Sequence, residues 1–403
     1  MTDAATTARD RLDRLEGFLR EDPNNVALLA EAFDTALRSA EWPRAEFHLR
    51  HLEALQPDQA SWPLRRADLL IAQRRWTEAE AVLNAMPWTT GTALHQAVTH
   101  SHAVIAFLQG DFPLAERALA PVCEVPPATP LHPATQLLWL RTLHRTGSLD
   151  RALAWARERN AAMPLEPEVL GAASLVALDA DELPLALRWA DAALASGAAP
   201  IRPMEALVAR ASLALAQRDI EGCLQLAEEA LKQNVTDGRT WSIHAFGEML
   251  RGHADQAKAE FQQALKHMPT HVGTWHGLGW IQLVGGDLAA AAQAFREAVS
   301  LDRGFAESHG ALAVVLALQG QRDQAEKSAE RAERLDKECL AARYARTILR
   351  GDDRSPEQIR LLAKRLLRNQ KLPFGAAIGD WLDRDGTSGA GAQPSVGPGA
   401  QSE

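Results

Sequence analysis

The chain has a single tyrosine, only three cysteines and no long hydrophobic segment. The low aromatic content (5%) and the scarcity of β-branched runs argue against an extensive β-sheet. The cysteines, Cys123, Cys223 and Cys339, are odd in number and far apart, which favours buried thiols in a reducing compartment over a disulfide framework. The longest uninterrupted apolar run, Ala311 to Leu318, is too short to cross a bilayer. These absences favour an all-α protein without membrane insertion.

The chain also lacks an excess of positive charge. It contains 43 basic and 52 acidic residues, for a formal net charge of −9. Binding to phosphate backbones needs a concentrated basic face, so we expect no nucleic-acid partner. The first residues, MTDAATTARDRLDRLE, contain no apolar core of a secretory signal. The sequence therefore predicts a cytoplasmic protein.

Motifs that mark catalysis or cofactor binding are missing as well. There is no GxxxxGK[ST] phosphate loop, no GxSxG nucleophile elbow and no HExxH metal motif. Two histidine groups have no accompanying cysteines, so we interpret them as surface or half-buried helix residues and expect no metal: His48 with His51, and His95 with His100 and His102. The sequence predicts a protein that is not an enzyme and binds no cofactor.

What the chain does contain is a repeat with a period close to 34 residues. Small residues recur at this spacing, and we number each repeat so that this residue is position 20. Large apolar residues occupy position 17 in most repeats, so the unit has its own hydrophobic pattern. Position 20 falls at Ala45, Ala79, Ala115, Ala152, Ala186, Cys223, Ala257, Ala291 and Ala325.

Each repeat predicts two helices joined by a tight turn near position 15. In the repeat that begins at Val272, apolar residues follow helical spacing on both sides of Gly286, and a glycine tolerates the positive φ of such a turn. Position 20 must be small because two helix backbones approach each other there. Cys223, at this position, is accordingly interpreted as a small core residue and not as a nucleophile.

The pattern resembles the tetratricopeptide repeat (TPR) family. The best-matching repeat contains Trp275, Leu278, Gly279, Ala291, Phe295 and Ala298, and the repeat before it contains Trp241, Ala257, Phe261, Ala264 and Pro269. The resemblance covers about residues 26–339 and is weaker toward the front of the chain. It implies an all-α, right-handed α-solenoid of about nine TPR helix pairs, with helical caps at both ends.

We expect four regions along the chain. The proline-rich segment is interpreted as a long joint between repeats, with a polyproline ligand as the alternative. The basic helix of the C-terminal region is interpreted as a solubilising cap, with docking to an acidic partner as the alternative. The regions are an N-terminal capping helix in 1–25, the solenoid in 26–339 with joints at 121–133 and near 198–203, C-terminal helices with the basic cap in 340–384, and a disordered tail in 385–403.

The resemblance implies that the first helix of each repeat lines a concave face, with positions 2, 5, 9 and 12 pointing into it. Toward the rear these positions hold large apolar residues, which suit a binding hot spot. We expect alanine at Trp280 or Phe246 to weaken partner capture and to leave stability nearly unchanged. Packing against neighbouring repeats, or filling of the groove by residues 374–382, remains the alternative. This rear set is Phe246, Met249, His276, Trp280, Leu283 and Val314.

A second, mostly polar set occupies the same positions nearer the front: Arg65, Asp68, His100, Arg141 and His144. The resulting hypothesis is a non-catalytic scaffold or adaptor that binds a peptide or helix of a partner protein in its concave groove. The alternative is a regulatory or substrate-recruiting subunit of a separate enzyme, for example a transferase, or of a secretion or assembly machine. Assembly of identical copies is left open.

Overall fold

The described part of the chain is almost entirely helical. The computed structural model describes residues 2–59, 61–125, 130–195 and 201–351, and these contain twenty helices and no strand. The chain divides into two compact units, Met1–Ala206 and Leu207–Glu403. The predicted all-α solenoid of stacked helix pairs is confirmed.

The first unit contains one leading helix followed by five helix pairs, and consecutive helices contact each other. Its helices are α1 (Thr2–Glu21), α2 (Val26–Arg38), α3 (Trp42–Leu55), α4 (Ser61–Ala72), α5 (Trp76–Asn84), α6 (Ala93–Leu108), α7 (Phe112–Cys123), α8 (Pro133–Arg145), α9 (Leu149–Ala162), α10 (Pro167–Asp179) and α11 (Leu183–Ala195).

The division between the units falls inside the next helix, after Ala206. The second unit continues the same alternation of first and second helices. Its helices, counting α12, of which residues 204–206 belong to the first unit, are α12 (Met204–Ala216), α13 (Ile220–Gln233), α14 (Gly238–Arg251), α15 (Ala254–His267), α16 (Val272–Val284), α17 (Leu288–Leu301), α18 (Ala306–Leu318), α19 (Arg322–Leu335) and α20 (Leu340–Arg350).

The turn between the two helices of a repeat has the same backbone conformation in all nine repeats. Position 15 has a positive φ throughout, which confirms the predicted turn. Five repeats use glycine there, the residue that adopts this conformation most easily. The other four place a side chain in a conformation that L-residues disfavour. Position 15 is Ala40, Arg74, Gly110, Gly147, Asp181, Arg218, Gly252, Gly286 and Gly320.

The small residue at position 20 is completely buried in every repeat, as the sequence predicts. Close approach of helices also explains the glycines of α16. A Cβ atom on Gly277 would lie 2.5 Å from the Phe261 ring, and one on Gly279 would lie 2.7 Å from the Phe295 ring. The GxG sequence in α16 is therefore a packing feature.

Consecutive first helices are joined by a recurring hydrogen bond that the sequence did not suggest. Where position 5 is His or Ser, its side chain bonds to the hydroxyl at position 3 of the next repeat. The distances are 3.2 Å for His100–Thr135, 2.9 Å for Ser242–Thr274 and 2.8 Å for His276–Ser308. Where glycine replaces the polar residue at position 5, the backbones come closer. A Cβ atom on Gly171 would lie 3.3 Å from the backbone nitrogen of Ala206.

The leading helix α1 packs against α2 through Leu12, Leu15 and Leu19, which are all buried. Phe18, on the same helix, is 58% exposed. Polar contacts also tie α1 to α3, because Arg44 donates to Glu16 at 2.8 Å. The predicted role of residues 1–25 as a cap stays a prediction.

Several predicted features lie wholly or partly outside the described residues. These are the basic cap, the segment 374–382 and the tail from 385. The joint predicted at 121–133 is helical at both ends, because Pro121 lies within α7 and Pro133 begins α8. Its residues 126–129, and residues up to 200 of the second joint, are not described. Among the described helices, none combines the length and the apolarity needed to span a bilayer.

Candidate partner-binding face on the first helices

The rear set does not form an exposed patch. All six side chains are buried: Phe246, Met249, His276, Trp280, Leu283 and Val314. The Trp280 ring packs edge-on against Phe295 with centroids 5.5 Å apart, and Phe246 packs in the same way against Phe261 at 4.9 Å. The expected exposure of these residues is therefore wrong. Their contact with a partner stays a prediction and would require these side chains to leave the core.

The reason lies in the helices that carry the rear set. In α14, α16 and α18, long stretches of consecutive residues are buried, so these helices are enclosed on all sides along 242–250, 276–283 and 310–317. A helix that is apolar all round is a buried helix, whereas an inner-face helix needs an exposed stripe. The apolar run Ala311–Leu318 carried this signal in the sequence. The position within the repeat therefore did not predict whether these side chains are exposed.

The polar set in the first unit is accessible by comparison. Arg65 on α4 is half-buried and donates from Nη1 to Asp34 Oδ1 on α2 at 2.5 Å. Its guanidinium also lies over the rings of Phe33 and Trp62, 5.3 and 5.7 Å from their centroids. This stacking and pairing fixes the cation in one orientation.

Asp68 lies one helical turn after Arg65 on the same face of α4. Its side chain is exposed, and it forms no hydrogen bond or ion pair within the described residues. Desolvation by the surrounding helices raises the pKa of this carboxyl to about 6, Arg65 opposes the shift, and Asp34 adds to it. The sequence predicted that Arg65 and Asp68 lie on the same face. The structure shows that Arg65 is paired with an acidic side chain, whereas Asp68 is not paired with a basic one in the part of the chain that the structure describes.

Arg141 and His144 on α8 both have acidic partners. Arg141 bonds to Glu205 on α12, two repeats further along the chain, and His144 Nε2 lies 2.6 Å from Asp179 Oδ2 at the end of α10. Sequence reasoning missed Asp179 and Glu205. The repeat numbering could have indicated both residues. Asp179 is at position 13 and Glu205 at position 2, and these positions face the same side of the first helices as position 9.

His100 on α6 belongs to the joint between repeats. Its Nδ1 is hydrogen-bonded to the Thr135 hydroxyl, and desolvation, helped by His132, lowers the pKa of the imidazole to about 4. This histidine is therefore neutral at physiological pH. The accessible charges of the face are those of Asp34, Arg65, Asp68, Arg141 and His144 with its partner Asp179.

The described residues contain no group of three or more His, Cys, Asp or Glu side chains placed to hold a metal ion. Burial raises the pKa of the thiols of Cys123, Cys223 and Cys339 to about 12. A thiol needs its anion to act as a nucleophile, so these cysteines are unreactive at neutral pH. The interpretation of Cys223 as a core residue is confirmed by its complete burial.

Comparison with known proteins identifies the repeat. The family model of the tetratricopeptide repeat matches residues 250–305, which run from the end of α14 to the start of α18. No curated protein matches the chain at a significant level.

Solved structures that resemble the chain share little sequence with it. A tetratricopeptide repeat protein from Parabacteroides merdae is 18% identical and covers 64% of this chain and 99% of its own, with a TM-score of 0.42. Pseudomonas aeruginosa pilF is 16% identical and covers 53% and 96%, with a TM-score of 0.45. YrrB, described as a TPR protein with an unusual peptide-binding site, is 15% identical and covers 53% and 91%, with a TM-score of 0.33.

The family match lies in the repeats that the sequence pattern marked as the strongest. The helix pairs on either side repeat the same turn at position 15 and the same buried small residue at position 20. Residues 250–305 therefore match the tetratricopeptide repeat, and the other described helix pairs share its fold.

Proposed function

We propose that the chain is a non-catalytic scaffold that binds a segment of a partner protein on the first helices of its first unit. The partner segment places a basic side chain against Asp68, between Asp34 on α2 and the polar residues of α8. This proposal transfers the predicted site from the rear set, which is buried, to the accessible polar set.

The unpaired carboxylate of Asp68 carries the proposal. Asp34, Asp179 and Glu205 each have a basic partner within the unit, whereas Asp68 has none. A charged group whose pKa is shifted toward neutrality lowers the stability of the folded protein at pH 7. A lysine or arginine of a partner would remove this penalty, and such unrelieved charges are typical of functional sites.

A crosslinking experiment tests the location of the site. A photoreactive amino acid at Ala72 lies one turn after Asp68, on the same face of α4 and exposed. The matched control carries it at Glu80, which is exposed on the second helix α5. We expect one protein to be crosslinked from position 72 and not from position 80. Equal crosslinking from both positions would contradict the proposal.

Titration with the purified crosslinked partner then tests the chemistry. Asp68→Asn should weaken binding about tenfold, because a hydrogen bond to a charged group is lost. Glu80→Gln should leave the affinity unchanged. Binding to the wild type should also weaken as the pH falls through about 6, where Asp68 becomes protonated. Equal affinities of the wild type and Asp68→Asn would exclude Asp68 as the contact.

A further inference from the structure

A cleft opens between two consecutive repeats of the second unit. It is formed by α15, α16 and α17, that is, by two consecutive second helices and the first helix between them, and has a volume of about 370 Å³. This lies within the range of about 300–1,000 Å³ of ligand sites. Its floor is apolar and includes Leu265, Leu278 and Ala294, with Trp275 at one wall.

One buried polar atom in this cleft has no partner. Gln282 on α16 is 6% exposed, and its Oε1 accepts no hydrogen bond. A buried polar group without a partner destabilises the folded state, because it has lost its hydrogen bonds to water. Buried oxygens of this kind are uncommon in folded proteins, and each calls for an explanation.

In the preceding repeat, the equivalent residue has the hydrogen-bond donors that Gln282 lacks. Glu248 occupies the same position of the repeat, position 11, and is equally buried. It accepts from His253 Nδ1 at 2.6 Å, and Arg251 Nη1 lies 3.5 Å away. One repeat later these two donors are replaced by Asp287 and Gly285, which offer no side-chain donor. The polar residue at position 11 is therefore kept in α16 after its internal partners are gone.

Side-chain amides line the cleft on all three helices. Each of the three helices contributes one glutamine, namely Gln262 from α15, Gln282 from α16 and Gln293 from α17. Gln262 and Gln293 are exposed, and the only charged lining residue is Lys266. A side-chain amide offers a donor and an acceptor together, as a peptide group does. Three amides around an apolar floor suit an uncharged, extended peptide with an aliphatic side chain.

The equivalent cleft of the first unit, between α3, α4 and α5, has different chemistry. Leu70 replaces Gln282 at position 11, and Arg50 replaces Gln262. Its arginines are neutralised internally, since Arg50 donates to Glu46 at 2.7 Å and Arg66 donates to Glu53 at 2.6 Å. That cleft has no unpartnered amide and provides a matched control.

We propose that the cleft between α15, α16 and α17 is a second peptide-binding site. It binds an extended, uncharged segment of a partner protein through a backbone N–H donated to Gln282 Oε1 and an aliphatic side chain on the Leu265–Leu278 floor. This site is separate from the face around Asp68 and does not rest on the function proposed there.

The probe is the blocked peptide acetyl-Ala-Leu-Ala-amide, titrated against the full chain and followed by ligand-observed NMR. We expect saturable binding that weakens about tenfold in Gln282→Leu. Acetyl-Ala-Asp-Ala-amide, which lacks the aliphatic side chain, should bind more weakly than the leucine peptide. Arg50→Ala, at the position equivalent to Gln262, should leave binding of the leucine peptide unchanged, and so should Asp68→Asn.

Thermal unfolding shows whether the variant is folded. Gln282→Leu introduces the residue that α4 and α18 carry at this position, so its midpoint should equal or exceed that of the wild type. Three results would overturn the proposal: no saturable binding to the wild type, an unchanged dissociation constant in Gln282→Leu, or an equal loss in Arg50→Ala. A loss of binding in Asp68→Asn would instead move the peptide to the first-helix face.

Discussion

At the scale of single residues, burial depends on what surrounds a helix as well as on where a residue lies in the repeat. Position 20 was predictable, because a small side chain recurs there and every helix pair needs it. The inner-face positions were not, because position 9 is exposed at Asp68 on α4 and buried at Trp280 on α16 or Val314 on α18. A repeat period fixes the direction of a side chain and leaves open whether solvent reaches it.

Because Trp280 is buried, its alanine variant should be less stable than the wild type, and not nearly unchanged as the sequence suggested. Its indole is 2% exposed and packs against Phe295, so Trp280→Ala should lower the free energy of unfolding by about 3–5 kcal/mol. Trp88, which is 45% exposed and stacks only on His95, is the control, and its alanine variant should cost less than about 1 kcal/mol. Urea denaturation followed by circular dichroism measures both. A Trp280→Ala protein as stable as the wild type would restore the case for an open groove at this position.

At the scale of the element, the turn at position 15 is the feature most closely tied to backbone geometry. The hydrogen bonds that follow it are the same in glycine and non-glycine repeats. Glu41 N donates to Ala36 O at 2.9 Å, and Asp287 N donates to Gln282 O at 2.9 Å. The left-handed conformation is therefore imposed by the two helices, whatever residue occupies the position. In repeats without glycine, an L-residue adopts the left-handed conformation, and this lowers the stability of the folded state.

Two exchanges at this position should have opposite effects. Ala40→Gly should raise the free energy of unfolding by up to about 1 kcal/mol, because glycine removes the cost of a φ of 57°. Gly286→Ala should lower it by about 1 kcal/mol, and a new Cβ there meets no atom within 4 Å, so only the backbone is tested. Thermal or urea unfolding of the two variants provides the measurement. Changes of the same sign would refute a backbone origin.

At the scale of the whole molecule, the period, the helix pairs, the turns and the resemblance to the tetratricopeptide repeat could all be predicted from the sequence. They depend on local spacing within about 34 residues, and the chain repeats the information nine times. The accessible site could be predicted only in part. Arg65 and Asp68 are neighbours on one helix, but the pairing of Arg141 with Glu205 joins helices two repeats apart. The carboxylate at position 2 can be read from the repeat numbering, but the numbering does not show that it pairs with a residue two repeats earlier.

Each unit contains a histidine at position 5 that the fold keeps neutral, and this predicts loss of stability in acid. The pKa of His100 and of His276 is lowered to about 4 by burial. The unfolded chain therefore binds more protons between pH 6.5 and 4, so stability is complete above pH 6.5 and falls as the pH approaches 4. Asp68, whose pKa is raised, acts in the opposite direction.

The comparison of variants isolates this contribution. Between pH 7 and pH 4.5, His276→Asn should lose less stability than the wild type, by up to about 3 kcal/mol. His267→Asn, on an exposed residue of α15, is the control and should follow the wild type. Urea denaturation at a series of pH values gives the slopes. Identical slopes for the wild type and His276→Asn would show that His276 is not the group that titrates.

The hydrogen bond from position 5 to position 3 has a consequence for lengthening the chain. An inserted copy of 272–305 would set His276 of one copy against Thr274 of the other, so a ring nitrogen would again meet a hydroxyl. A copy of 306–339 would set Gly310 against Ser308 and leave that hydroxyl without its partner. Duplication is therefore chemically tolerated at one boundary and penalised at the next, so the side chains at positions 5 and 3 restrict which repeats can follow one another.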